Sequence, residues 1–233
     1  MLISGLQKLT LLDYPGRVAC TVFTAGCNLR CPFCHNAALV RPERLQGDAS
    51  GVETVLRFLH TRQGLLEAVA ITGGEPLLHI DLPDFLREIR ALGYRVKLDT
   101  NGSFPERLQA VLEDGLVDRV AMDIKNAPSL YAKTAGLEKL SLTPFEQSKN
   151  LLLEGRTEYE FRTTVVRGLH TRESLREAAE WIRGAKEYYL QQFKDSGDLI
   201  APEGLSSFSN EEMHTLCESI AEIVPTVRLR GVE

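Results

Sequence analysis

The sequence has no apolar run approaching the ~18 residues that a membrane span requires. Its opening, MLISGLQKLTLLDYPG, has no basic segment followed by a long apolar stretch, so no signal peptide is expected. A cytoplasmic protein with no membrane partner is the expectation. An excess of positive charge is missing too. With 27 Lys and Arg against 32 Asp and Glu, the 233-residue chain carries a net −5. That argues against a nucleic-acid binder working by electrostatics. Low-complexity segments and sequence repeats are absent. Cysteines number only five, an odd count and a thin one for a disulfide scaffold. What remains is 43% hydrophobic and 25% charged, enough to bury one sizeable core, and a single domain over residues 1–233 is expected.

Three of the five cysteines crowd into CNLRCPFCHN, as Cys27, Cys31 and Cys34 in a C-x3-C-x2-C spacing. Cys20 lies in the apolar alternation RVACTVF and Cys217 in the helical pattern EEMHTLCESIAEIV; both read as buried small hydrophobes. The loop admits three chemistries. His35 would complete a zinc site as fourth ligand, although zinc more often takes paired C-x2-C units and no second pair exists. Cys31-Pro32-Phe33-Cys34 matches a redox CxxC, which leaves Cys27 superfluous. Three thiolates also suit an iron–sulfur cube, which four would close, leaving one iron open to an exogenous ligand.

After a strand signal at 17–23, strand-like and helix-like segments alternate. AVAIT, YRVKLD, DRVAMDI, YEFRTTVV and EYYLQQF read as strands, and TVRLRGV as a further last one. Between them VETVLRFLHTRQGLL, LPDFLREIRALG, PERLQAVLEDG, TPFEQSKNLLLEG (opened by Thr143 as cap), RESLREAAEWIRGA and NEEMHTLCESIAEIV read as helices. Repeated βα units imply a parallel sheet with helices outside. About six units favour a partial, open (β/α)6-type barrel over a complete eight-fold one, with a doubly wound open sheet as runner-up. FKDSGDLIAPEGLSSFSN reads as a surface or mobile loop.

Polar residues collect where strands end: Thr72-Gly73-Gly74-Glu75-Pro76, Asp99-Thr100-Asn101-Gly102, and Asp123 with Lys125. Each alone reads as a turn. Together with the cysteine loop they occupy the C-terminal rim, where ligands bind in parallel α/β folds. Glycines permit close backbone approach, Glu75 offers an anionic acceptor for an ammonium, and Lys125 a cation for a carboxylate. Asp99, Asn101 and Asp123 add acceptors. Such a pocket suits an amino-acid zwitterion, and an amino acid's amine and carboxylate are able to chelate the open iron.

These residues resemble the radical S-adenosylmethionine superfamily, whose signature is the C-x3-C-x2-C loop with an aromatic, Phe33, before the last cysteine. DYPG, FTAGCNLRCPFCHN, TGGEPLL, LDTNG, AMDIK and EFRTTVV are most similar to the activating enzymes of glycyl-radical enzymes, with anaerobic ribonucleoside-triphosphate reductase as the implied partner. The resemblance runs from about Leu6 to Phe193, leaving 194–233 as a less certain extension. It implies one 4Fe-4S cluster on Cys27, Cys31 and Cys34, with S-adenosylmethionine on the fourth iron and Phe33 against the adenine. It further implies that Gly73, Gly74 and Glu75 receive the methionyl amine, that Asn101 lies near the ribose or methionyl end, and that Lys125 pairs with the carboxylate. Arg162 is a further cofactor contact if strand register points it inward. Asp99, Thr100 and Asp123 match positions that hold a monovalent cation in a related activase, and Asp99 also lies near the cofactor.

The implied chemistry is one-electron cleavage of the sulfonium, then hydrogen abstraction from a glycine of the partner, fed by flavodoxin or ferredoxin. Some related activases insert a ferredoxin-like segment with extra CxxC sets. Here only Cys20 and Cys217 remain, so a second cluster is not expected. The alternative is a radical enzyme of the same superfamily acting on a small molecule or modified-nucleoside precursor.

Overall fold

A computed structural model of the chain describes residues 1–34, 37–40, 51–195 and 197–232. Eight strands are hydrogen-bonded in chain order: β1 (Ile3–Thr10), β2 (Ala19–Thr24), β3 (Ala68–Gly73), β4 (Arg95–Thr100), β5 (Arg119–Asp123), β6 (Glu158–Val165), β7 (Tyr188–Gln192) and β8 (Val227–Arg230). The order starts at β1 and ends at β8, with no pairing between those two among the described residues. It is an α/β fold with an open strand order.

Residues group into two compact units. The first holds Met1–Asn28, Ala38–Ala121 and Arg156–Glu158; the second holds Leu29–Ala37, Met122–Gly155 and Tyr159–Glu233. In the first, β2, β3 and β4 pair parallel in register, Ala19 with Ala68 and Ala68 with Arg95. Cys20, Val22, Val69, Ala70, Ile71, Val96 and Leu98 are all fully buried. Strands covered on both faces read as continuous apolar runs, which is why AVAI alternates with nothing polar. The short α1 (Ala37–Val40) follows the cysteine loop. Apolar stripes of α2 (Val52–His60), α3 (Leu82–Ala91) and α4 (Pro105–Glu113) supply Val55, Leu59, Phe85, Leu86, Ile89, Leu108 and Val111 to this core. β1 was not foreseen. It pairs antiparallel with β2 through two irregularities, and its run Gln7–Leu9 is exposed, so it shows neither periodicity nor a buried run.

In the second unit, β6, β7 and β8 pair parallel. The short helix α5 (Tyr131–Thr134) places the Tyr131 ring 5.0 Å from Phe145 and 5.5 Å from Trp181. Around that aromatic group lie α6 (Thr143–Leu153) and α7 (Arg172–Trp181), while α8 (Asn210–Ala221) buries Met213, Leu216 and Ile220. Thr143 is not the cap expected of it. It is the first helical residue of α6, before Pro144, and Leu142 stands at the cap position with no side-chain bond. Pro at the start of a helix costs nothing, because that N–H has no partner anyway. True capping boxes occur at Thr171 with Ser174 and at Ser209 with Glu212.

The loop expected after Phe193 has backbone contacts at two described positions. Ala201 N–H donates to Pro32 O at 3.0 Å, inside the cysteine loop, and Ser206 bridges antiparallel to Arg167.

Thr171→Ala should lower stability by about 1 kcal/mol, read as a lower urea midpoint, whereas Thr143→Ala should leave the midpoint within roughly 0.5 kcal/mol of wild type.

Candidate active site

The cysteine loop leaves β2 at a place fixed by backbone alone. Gly74 N–H donates to Thr24 O at 2.9 Å and Glu75 N–H to Gly26 O at 2.8 Å, so the tip of β3 is stitched to the residues just before Cys27. The glycine pair exists for this approach. Gly73 has φ +114°, and a Cβ on it would lie 2.3 Å from Thr24 O; a Cβ on Gly74 would lie 2.0 Å from Gly26 O. Where a side chain would project from either glycine, the backbone of Thr24 and Gly26 already stands.

Glu75 is bonded to its neighbours within the chain. Its carboxylate is fully buried and accepts from Leu77 N at 3.0 Å, Thr100 Oγ1 at 2.8 Å and Asn101 N at 2.6 Å. A buried carboxylate is tolerable only when so compensated. It locks the tip of β4 to the tip of β3. Asn101 in turn reaches Asn28 Oδ1 at 3.0 Å and Cys27 Sγ at 3.8 Å. Asp99 carries an ion pair with buried Lys97, two residues away on the same strand face.

The second unit holds the other polar residues. The backbone of the cysteine loop docks on a turn: Arg30 N–H donates to Ala135 O at 2.9 Å, and a Cβ on Gly136, whose φ is +71°, would lie 1.9 Å from Arg30 O. Phe33, expected to lie against the adenine, is buried at 6% exposure. Asp123 Oδ2 pairs with Lys125 Nζ at 2.9 Å, and its Oδ1 with Arg162 NH2 at 2.9 Å. Register does turn Arg162 toward Asp123. Burial pushes the Asp123 carboxyl up, but Lys125 and Arg162 outweigh it and hold the group at about 2. Burial alone would lower the Lys125 ammonium; Asp123 first and Cys31 second reverse this and raise it. Burial pushes the Cys31 thiol up, Lys125 opposes, and Cys34 and Asp123 add to the rise.

Residues missed by sequence reasoning hold this group in place. His170 accepts the Val166 N–H on Nδ1 at 3.1 Å, so its proton sits on Nε2, which donates to Lys125 O at 2.9 Å. Thr163 Oγ1 donates to Ile124 O at 2.7 Å, and the Asn126 amide donates to Thr134 Oγ1 and Leu169 O. A lone histidine or threonine gives no local signal for such a role. His35, the candidate fourth ligand, lies outside the described residues.

None of the five cysteines is in a disulfide. Burial pushes Cys20 up to about 12, in keeping with an inert core residue. Among the described residues no three His, Cys, Asp or Glu side chains are drawn together as a single metal ion would require. Three thiols in one loop are the donor chemistry of a thiolate-held iron–sulfur cluster. The expected monovalent-cation set is already engaged: Asp99 with Lys97, Asp123 with Lys125 and Arg162, and Thr100 with Glu75.

A βα sheet with a three-thiol loop at the end of its first parallel strand defines the class, and the chain belongs to the Radical SAM superfamily, whose pattern matches residues 21–182. It is an enzyme of that superfamily, which implies a 4Fe-4S cluster and S-adenosylmethionine. It is 30% identical over 207 residues to a Methanocaldococcus jannaschii protein that carries the inferred name glycyl-radical enzyme activating enzyme, covering 84% of this chain and 82% of that one. It is 35% identical to the 7-carboxy-7-deazaguanine synthase of Methanothermobacter thermautotrophicus over 117 residues, 48% of this chain and 43% of the relative. Streptococcus suis SuiB, solved with its precursor peptide, shares the fold at TM-score 0.70 and 14% identity, over 91% of this chain and 48% of SuiB. The chain thus spans about half the length of SuiB. Among the described residues no helix is long and apolar enough to cross a membrane.

Gly74→Ala should cost about 2 kcal/mol or more in urea unfolding, because the clash is with backbone that cannot rotate away. Asp123→Asn should destabilise by roughly 2 kcal/mol at neutral pH. Since the folded carboxyl is held below its unfolded value, this difference is full above about pH 5 and shrinks as pH falls toward 2, which thermal melts across that range would follow.

Proposed function

We propose that the chain is an activating enzyme of a glycyl-radical enzyme, taking hydrogen from a backbone glycine of its partner. The observation that carries this reading is the match to the M. jannaschii relative along most of both chains. Anaerobic ribonucleoside-triphosphate reductase is the partner that the motifs resemble, and a flavodoxin or ferredoxin is the class of electron donor. When bound, the cluster and S-adenosylmethionine supply a carbon-centred radical by one-electron cleavage of the sulfonium.

The chain's own residues bind and orient. Cys27, Cys31 and Cys34 would hold three irons of the cube, leaving the fourth to the cofactor's amine and carboxylate. Lys125, kept protonated beside Asp123, is suited to the carboxylate, and Arg162 adds a second cation that the same Asp123 restrains. Gly73 and Gly74 would offer backbone to the methionyl amine, while Glu75 acts through Thr100 and Asn101 by positioning them. Phe33 would contribute its backbone, and Asp99 an acceptor restrained by Lys97. The resemblance also implies a monovalent cation on Asp99, Thr100 and Asp123, whose carboxylates would have to share Lys97, Lys125 and Arg162 with it.

The match to the 7-carboxy-7-deazaguanine synthase favours a second reading, an enzyme acting on a small molecule. It covers under half of either chain and so carries less.

The test incubates anaerobically reconstituted, reduced protein with S-adenosylmethionine and the candidate reductase. Roughly four irons and four sulfides per chain, 5′-deoxyadenosine, and a glycyl-radical signal in electron paramagnetic resonance are expected. Cys31→Ala should lose all three. 5′-Deoxyadenosine formed only with a small-molecule substrate, and no radical on any partner protein, would sink the activase reading.

A further inference from the structure

Asn101 follows directly on β4 and is 5% exposed. Its Oδ1 accepts from the backbone N–H of Ser103 at 2.9 Å and from the Ser103 hydroxyl. A backbone N–H can only donate, so the atom facing it is oxygen and the orientation of the amide is settled by its partners. Nδ2 therefore points the other way, 3.0 Å from Asn28 Oδ1 and 3.8 Å from Cys27 Sγ. Its two hydrogens are divided between that oxygen and that sulfur. Asn28 is fixed in turn, donating through Nδ2 to Ser103 Oγ at 2.9 Å. Asn28, Asn101 and Ser103 thus form a closed ring of amide and hydroxyl groups beside one thiol. The Glu75 carboxylate anchors it from below by accepting the Asn101 backbone N–H. The resemblance would send Asn101 to the ribose or methionyl end of a bound cofactor. The geometry sends its amide to sulfur.

We propose that Asn101 is a positioning residue for the iron–sulfur cluster, donating an N–H to the Cys27 thiolate and raising the cluster's reduction potential. This rests on the cluster reading above. Hydrogen bonds to cysteine sulfur are among the levers that set cluster potentials, because reduction adds an electron whose charge spreads onto the sulfurs. A donor aimed at one of them stabilises the reduced form. The amide keeps its proton throughout; only the electron moves. Lys125 acts electrostatically on Cys31, and Asn101 gives Cys27 an amide donor.

The test is a potentiometric titration of the reconstituted cluster without S-adenosylmethionine, read by electron paramagnetic resonance of the reduced form. Wild type, Asn101→Leu and Asn101→Ser would be compared. The expected result is wild-type iron content with a reduced-to-oxidised ratio, at fixed potential, lower by about three- to tenfold in Asn101→Leu; tenfold corresponds to about 59 mV for one electron. Asn101→Ser, which keeps a weaker donor, should fall between. Full iron loading with an unchanged potential in both variants would overturn the proposal alone, whereas wild type that takes up no iron would overturn the cluster reading with it. Should neither variant load, wild type and Asn28→Asp, both carrying 15N only at asparagine side-chain amides, decide. A nitrogen hyperfine coupling on the reduced cluster that persists in Asn28→Asp supports the proposal, and its absence from wild type overturns it.

Discussion

The site depends on how closely two backbones approach at the ends of β2 and β3. Gly74 N–H to Thr24 O and Glu75 N–H to Gly26 O leave no room for a Cβ at either glycine. That stitch fixes where the chain emerges into Cys27. It also aims Glu75 inward, where its carboxylate collects the hydroxyl of Thr100 and the N–H of Asn101. One buried acid therefore converts the close approach of two strands into a common framework for three strand ends. Its burial makes the arrangement rigid, because any loosened donor would leave a carboxylate unsatisfied in low dielectric.

In the second unit the corresponding role falls to charge. Asp123 sits between Lys125 and Arg162, and both cations are restrained by one carboxylate. Two cations against a single anion leave the group with net positive charge. His170 shows how the backbone beneath is set: neutral, its pKa lowered by burial, it bridges Val166 N–H and Lys125 O.

Much of this was legible in the sequence, and the exceptions have physical reasons. Parallel strands buried on both faces leave continuous apolar runs, so β2 to β7 stood out, and the polar residues at their ends marked the rim. β1 did not, because a half-exposed edge strand broken by irregular pairing has no pattern to read. Thr143 was taken as a cap because Thr-Pro is also how a capped helix begins; Leu142 occupies that position. TGGEP was legible as a special turn, but its bonds to the ends of β2 and β4 were not, because they join residues far apart in sequence. The tail near Ala201 reads as a polar loop, and only the fold brings it to Pro32.

The central claim is that three thiolates hold a cube whose fourth iron takes S-adenosylmethionine. Mössbauer spectroscopy of the 57Fe-reconstituted protein, with and without S-adenosylmethionine, tests it most directly. One iron in every four should change its isomer shift when the cofactor is added while the other three stay put. Four irons unaffected by the cofactor, or a colourless protein that retains one zinc, would contradict it.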